Sequence, residues 1–299
     1  MTFAQAVKGT MLSVKTESLC CKKAFLYGIL LFAHSFEERK IILVSENEAL
    51  IKVIVTLFKQ LLDLDLSGNL KKISMAKGEQ YRLILEDSDT EKILRYFSYA
   101  PPYKTYAILK ETLECDECRG SFLRGAFLSC GNIASPQKSY HLEFVISHFN
   151  LSRDLFVFLK DCSLEGKYTK RTGHYIIYYK DSEEIIDLLT FTGAHNSVFD
   201  FVNTKIEKDI RNTCNRVTNC ETANLQKTIV SSSNQIDAIQ KLKRSGLFDS
   251  LSEKLKMTAS LRLENPDMAI GELATLHVPP ITKSCAGHRL NKLTELSQQ

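Results

Sequence analysis

At 100° per residue, Ser284, His288 and Asn291 fall within about 60° of one another on a helix. They are short polar side chains that can reach a base edge, and Asn pairs bidentately with adenine. Ala286, Leu290 and Leu293 gather on the opposite side of the same helix as an apolar stripe. Thr282 stands in front of it as an N-cap, and Lys283, Arg289 and Lys292 flank the polar face, where phosphate oxygens would lie. A helix buried along one side, polar on the other and flanked by cations has the chemistry of major-groove reading. A solvated helix on a small bundle would show the same periodicity, so the alternative stands at this stage.

Other groups that could do chemistry are weaker. Cys115-x-x-Cys118 is half of a tetrahedral zinc set, and Cys20-Cys21 would have to supply the rest. Adjacent cysteines leading into a helix are poorly placed to share an ion. These thiols are therefore expected to pack as small buried hydrophobes, with no metal and no cofactor. His195, in Gly193-Ala194-His195-Asn196, has no Ser or Cys nucleophile with a matching acid nearby, so a structural role is expected. No glycine-rich phosphate loop of either common spacing occurs. Nine cysteines are an odd number in a chain large enough to bury a core, which fits reduced thiols in a cytosol better than a disulfide framework.

The elements that must position the polar helix follow from the same periodicity. Residues 251–263 read as a helix that Asn265-Pro266-Asp267 stops, and Asp267 is a suitable N-cap for a short helix over 268–276. Pro279-Pro280 makes the turn, and the last helix runs over 283–296. This is helix-turn-helix anatomy. Upstream, 229–242 reads as a helix with Ile229, Ile236 and Ile239 as its apolar face, and 203–227, rich in Asn, Lys and Arg, reads as a polar connector with some helix. Residues 1–202 carry 25 Lys+Arg and 25 Asp+Glu, whereas residues 203–299 carry 14 and 10. All the excess positive charge therefore sits in the last third, where an anionic partner is expected.

The first two hundred residues repeat a pattern at an offset of 97. Ala24 to Ser35 and Ser121 to Asn132 each place a glycine, Gly28 and Gly125, inside an apolar helical run. A mid-helix glycine costs about 1 kcal/mol relative to Ala. Its presence twice points to close approach of two backbones, a pseudo-two-fold helix pair. Behind the first copy come a strand at 40–44, a helix at 48–62 and strands at 70–75 and 81–85 around a Lys77-Gly78 turn. Behind the second come a strand at 140–146, a helix at 150–159, a hairpin of 168–171 and 174–179 around Thr172-Gly173, and a helix at 182–189. Helix–strand–helix–strand–strand–helix, twice, is an α+β duplicate, its halves joined over about 99–114, where Pro101-Pro102 prevents helix continuation.

These two helices resemble the motif of the LAGLIDADG homing endonucleases, whose small residues pack the helix pair and whose late Asp presents a metal-binding carboxylate. Leu26-Tyr27-Gly28-Ile29-Leu30 and Leu123-Arg124-Gly125-Ala126-Phe127 match the packing part. The position of the acid falls on Ala33 and Cys130, neither of which suits Mg²⁺, an ion that needs oxygen ligands. Over its whole length the chain resembles the WhiA family of bacterial regulators. Carrying that likeness are Cys20-Cys21-Lys22-Lys23-Ala24, Phe122-Leu123-Arg124-Gly125-Ala126-Phe127-Leu128, Gly193-Ala194-His195-Asn196 and Asn219-Cys220-Glu221-Thr222-Ala223-Asn224-Leu225. Arg262-Leu263-Glu264-Asn265-Pro266-Asp267 and His288-Arg289-Leu290 add to it.

The expected architecture is α+β: a duplicated LAGLIDADG homing-endonuclease-like domain followed by an all-α helix-turn-helix domain. Its parts are 1–102 and 103–202 as the two halves, 203–227 as a polar basic linker and 228–299 as the DNA-binding domain. The expected function is sequence-specific DNA binding by a non-enzymatic transcription regulator, with Thr282, Lys283, Ser284, His288, Arg289, Asn291 and Lys292 at the DNA. The resemblance implies a role in bacterial cell division, chromosome segregation and sporulation. Two alternatives stand beside it: an adaptor that docks a sigma factor or division protein through the neutral duplicated domain, and a working homing endonuclease. The expected partner is double-stranded DNA, with a sigma factor or other transcription protein as a further one and no small-molecule substrate. No charged segment with a following apolar run opens the chain, and the longest apolar run, 24–33, falls well short of the roughly 18–20 residues that span a bilayer. A cytoplasmic, nucleoid-associated protein without a membrane partner is expected.

Overall fold

The chain opens with α1 (Phe3–Ser13), which Thr2 and Gln5 close with a reciprocal capping box, and then enters α2 (Leu19–Leu31). Every residue of α2 from 24 to 31 is buried. Such a helix, apolar all round, must lie at the centre of a domain. The computed structural model, which describes residues 2–37, 39–75, 78–99 and 107–298, puts it there. Lys77 of the expected turn and Pro101-Pro102 lie outside the described residues.

After α2 come β1 (Ser35–Glu37), β2 (Lys40–Ser45), α3 (Glu48–Leu62), β3 (Leu70–Met75), β4 (Gly78–Glu86) and α4 (Asp87–Tyr96). The same series then recurs as α5 (Asp116–Cys130), β5 (Gly131–Ile133), β6 (Leu142–Ile146), α6 (Phe149–Asp161), β7 (Lys167–Arg171), β8 (His174–Tyr179) and α7 (Ser182–Phe191). Each half forms a four-stranded antiparallel sheet, ordered β1-β2-β4-β3 and β5-β6-β8-β7. The expected series lacked the short first strand of each half, and it placed no element at α1 and named no residues for α4. The hairpin between β7 and β8 turns on Thr172 (φ 47°) and Gly173 (φ 85°). Two successive positive φ values match the right-handed twist of the strands they join.

The two glycines meet as the repeat implied. A Cβ on Gly28 would overlap the Phe122 carbonyl oxygen and stand 2.9 Å from the Ala126 nitrogen. On Gly125 it would overlap the Phe25 carbonyl oxygen and stand 3.0 Å from the Ile29 nitrogen. Backbone thus touches backbone at both crossings, and residues 121–128 of α5 are as fully buried as their counterparts in α2. The bulky Tyr27 does not wedge the pair apart. Its ring stacks on Phe97, and its hydroxyl accepts from the Leu109 N–H (2.9 Å) and lies 2.9 Å from the Tyr99 hydroxyl. Burial pushes this phenol up to about 12.

The chain separates into two units, residues 1–208 and 209–299. A single helix, α8 (His195–Arg244), contributes to both. It runs through all of 203–227, the stretch expected as a polar connector with some helix. No Gly or Pro occurs in 195–244, and Gly193 (φ 79°) and Gly246 (φ 77°) stand just outside its two ends. Its hydroxyls fold back rather than compete with the helix: Thr204, Thr213 and Thr228 donate to the carbonyls of Asp200, Asp209 and Asn224.

In the second unit α8 is followed by α9 (Glu253–Glu264), α10 (Ile270–Thr275) and α11 (Lys283–Leu296). Their core is Ile239, Leu242, Ala259, Leu273, Leu290 and Leu293. Ile229, expected on the buried face of α8, is exposed; that face is Ser232, Gln235, Ala238, Ile239 and Leu242. Asp267 does not cap α10, which begins at Ile270 behind Ala269. The buried Arg262 guanidinium explains the delay: its Nη1 donates to the carbonyls of Asn265, Pro266 and Met268 and holds those residues in a turn. Ser232 of α8 donates to the same Pro266 carbonyl.

Candidate nucleic-acid interface

α11 stands on the bundle as the periodicity required. Ala286, Leu290 and Leu293 are buried, whereas Lys283, Ser284, His288, Asn291 and Lys292 are exposed and Arg289 is half-buried. Thr282 caps the helix, its hydroxyl accepting from the Cys285 N–H at 3.2 Å. The turn ahead of it is tied down by the Ile281 N–H, which donates to the Ala274 carbonyl (3.1 Å) at the end of α10. His277 in this turn is buried, with its Nε2 3.5 Å from the Thr258 hydroxyl of α9. Burial holds His277 below its ordinary value and the nearby Arg289 charge lowers it further, so the turn carries a neutral imidazole.

The seven residues expected at DNA therefore lie on one short helix and its cap, but they are not equivalent. Ser284 and His288 belong to its N-terminal part, the part that meets base edges in helix-turn-helix docking. Asn291 stands further along, at the rim of an open groove it shares with Thr294 and with Gln226, Val230 and Asn234 of α8. Lys292 lies 3.5 Å from Glu295, an exposed pair that water screens.

A second polar surface was not anticipated. Strand alternation puts Lys167, Thr169, Arg171, His174 and Tyr178 on the face of the second sheet opposite the buried Phe144, Ile177 and Tyr179. Every residue of β7 is exposed, and the Lys180 ammonium sits 5.4 Å from the Tyr178 ring. The even charge balance of residues 1–202 conceals this local face, where the basic side chains stand beside Glu143 and the buried Ile176. Local sequence gives little signal for it, since Lys167 to Arg171 shows no apolar alternation and both faces of β7 are exposed.

The remaining candidates sort plainly. Ala33 lies just past the end of α2, and Cys130 is the last residue of α5, where burial pushes its thiol up to about 12. Among the described residues, no cluster of carboxylates with converging oxygens occurs at these helix ends or elsewhere. His195 is the exposed first residue of α8, following the left-handed Gly193. The four cysteines, by contrast, converge: the sulfurs of Cys20, Cys21, Cys115 and Cys118 all lie within 4.8 Å of one another. Only Cys21 and Cys118 are buried; Cys115 is exposed and Cys20 half-buried, so the set is not the buried apolar packing that was expected. Among the described residues no helix is long and apolar enough to cross a membrane.

Fold and interface together define a LAGLIDADG-like α+β domain followed by a helical helix-turn-helix domain. Comparison with known families gives the same two parts: a WhiA LAGLIDADG-like domain over residues 119–211 and a WhiA C-terminal HTH domain over 214–297. The chain belongs to the WhiA family. It is 34% identical over 279 residues to a probable cell division protein WhiA from Clostridium botulinum, covering 91% of this chain and 88% of that protein. To the protein of the same description from Ruminiclostridium cellulolyticum it is 34% identical over 307 residues, covering 100% and 98%. The crystal structure of full-length DUF199/WhiA from Thermotoga maritima has the same fold, with a TM-score of 0.60 at 23% identity over 100% of this chain and 98% of that one.

Proposed function

We propose that this chain is a sequence-specific DNA-binding transcription regulator of cell division, without enzymatic activity. The observation that carries the reading is α11: a capped helix, held by its buried stripe, that presents Ser284, His288 and Asn291 to solvent with Lys283, Arg289 and Lys292 around them. In this reading the first three meet base edges, while the cations and the Thr282 end of the helix meet phosphates. Double-stranded DNA is the partner, and the site of action is the nucleoid. The cell-division role is supported by the printed names of the relatives, and roles in chromosome segregation and sporulation rest on the family resemblance alone. The absence of activity is supported by Ala33 and Cys130, which offer no oxygen ligand where a metal-dependent nuclease needs one.

Gel-shift titration of the full chain against genomic fragments tests this, with supercoiled DNA and Mg²⁺ or Mn²⁺ in parallel. Salt-sensitive, fragment-selective binding with intact DNA is expected. Site-specific nicking would make the protein a nuclease instead. A second reading, docking of a sigma factor or division protein with DNA contact secondary, is favoured by one observation. Phe199 and Ile206 of α8, both in the first unit, are exposed and fall within about 20° of one another around the helix. Genome-wide mapping of bound DNA separates the two, because a pure adaptor would follow its partner's sites and share its motif.

A further inference from the structure

We propose that Cys20, Cys21, Cys115 and Cys118 bind one zinc ion, a four-thiolate site that staples the N-terminal ends of α2 and α5. Four separations define it: Cys20–Cys115 3.7 Å, Cys21–Cys115 3.5 Å, Cys21–Cys118 3.8 Å and Cys115–Cys118 3.4 Å between sulfurs. A tetrahedral ion with Zn–S bonds of about 2.3 Å needs edges about 1.6 times as long, roughly 3.8 Å. Four of the six sulfur separations stand at or just below that spacing, and all six lie within 4.8 Å. A cluster of several irons would hold its ligands further apart than one ion does.

The helix pair explains how adjacent cysteines can serve one site. Cys20 and Cys21 lie in the first turn of α2; Cys115 is the N-cap of α5 and Cys118 lies in its first turn. Cys21 and Cys118 are 97 apart in sequence, the offset of Gly28 and Gly125, so they are equivalent positions in the two halves. Because α2 and α5 run side by side in the same direction, both first turns end at one place. Cys20 and Cys115 then fill the remaining corners.

The charge of the site is also met. Each ligating thiol gives up its proton, so four thiolates and one Zn²⁺ leave a net charge of about −2. Two helix N-termini, each positive in its last partial charge, converge there. Arg124, 5% exposed, lines the same cavity as Cys21. Among the described residues it has no carboxylate partner, and its Nε is buried without a hydrogen bond. Its Nη1 and Nη2 donate to the Thr192 carbonyl and the Thr16 hydroxyl, which holds a cation at the wall of the cavity that Cys21 also lines. The reading of these residues as small hydrophobes accounts for neither the exposed Cys115 nor the convergence of all four sulfurs.

The test is metal analysis of the full chain, purified under reducing conditions, loaded with zinc and freed of excess by gel filtration. One zinc per chain is expected, and Co²⁺ in its place should give thiolate-to-metal charge transfer with the intense visible bands of a tetrahedral site. Cys115→Ser puts a favoured N-cap hydroxyl ahead of α5 and should fold, as judged by circular dichroism, yet lose stoichiometric zinc. Cys214→Ser, a thiol outside the cluster, should keep it. A wild-type chain without bound zinc would overturn the proposal, as would iron bound in preference to zinc. Full stoichiometry in Cys115→Ser and in a Cys21→Ser/Cys118→Ser variant alike would overturn it too.

Discussion

Replacing Gly28 with Ala probes the joint on which the duplicated domain is built. In an open helix the change should stabilise by up to about 1 kcal/mol. At Gly28 the new methyl overlaps the Phe122 carbonyl and stands 2.9 Å from the Ala126 nitrogen, where atoms at rest keep about 3.5 Å. The obstacle is helix backbone, so no rotamer change relieves it, and α2 and α5 must part by something on the order of 1 Å. A gap of that size forfeits a quarter to a half of each dispersion contact. Overpacking of this kind costs about 1–3 kcal/mol, and a net loss of roughly 2 kcal/mol is expected once the helix-propensity gain is set against a cost at or above the upper end. Gly9→Ala in α1, where a Cβ meets nothing within 4 Å, is the matched control and should gain up to about 1 kcal/mol. The readout is clean because the chain has no Trp and all 11 Tyr precede residue 209. Urea unfolding followed by tyrosine emission therefore reports on the first unit alone. A Gly28→Ala midpoint at or above wild type would refute the close-packed helix pair.

Two further outcomes follow from the second unit. Removing the cap with Thr282→Ala should cost about 1 kcal/mol in calorimetric stability and weaken DNA binding, whereas Thr282→Ser should cost far less; equal losses would mean that the hydroxyl does not cap α11. Folding holds His277 below its ordinary 6.5, so the unfolded chain binds its proton more readily. Its contribution is therefore full above about pH 6.5 and lost as pH falls below it. Melting of the second unit should drop as pH falls from about 6.5 toward about 5.5, and His277→Gln should flatten that dependence. An unchanged pH dependence in the variant would remove His277 from the account.

Much of this was legible because one-sided burial writes itself into spacing. The apolar residues of 48–62 and the opposition of Ala286-Leu290-Leu293 to Ser284-His288-Asn291 gave α3 and α11 with their observed bounds. Gly28 and Gly125 gave the helix pair, since only close backbone approach explains two mid-helix glycines. What failed depended on partners distant in sequence. Asp267 has the side chain of a cap, but Arg262 claims the carbonyls around it. Ile229 has the period of a buried face, but the packed turn begins only at Ser232. The Asn-rich 203–227 was read by composition, when the lack of any Gly or Pro was the better guide to helix. Cys115-x-x-Cys118 already marks half a metal set with Cys20-Cys21 as its complement; the adjacency of Cys20 and Cys21 speaks against a shared ion only until the two helix starts are seen as equivalent, Cys21 and Cys118 being 97 residues apart.

The central claim, that α11 reads DNA, is tested most directly by comparing Asn291→Ala with Lys283→Ala on the best genomic site and on random duplex across a salt series. Circular dichroism first establishes that both variants keep the wild-type fold. Asn291→Ala should lose roughly 1–3 kcal/mol on the specific site and little on random DNA, relaxing preference at one base position. Lys283→Ala should weaken both and lower the salt slope by about 0.9 for the phosphate contact removed. If Asn291→Ala weakens specific and random DNA equally, or neither variant changes binding at all, α11 is not the reading helix.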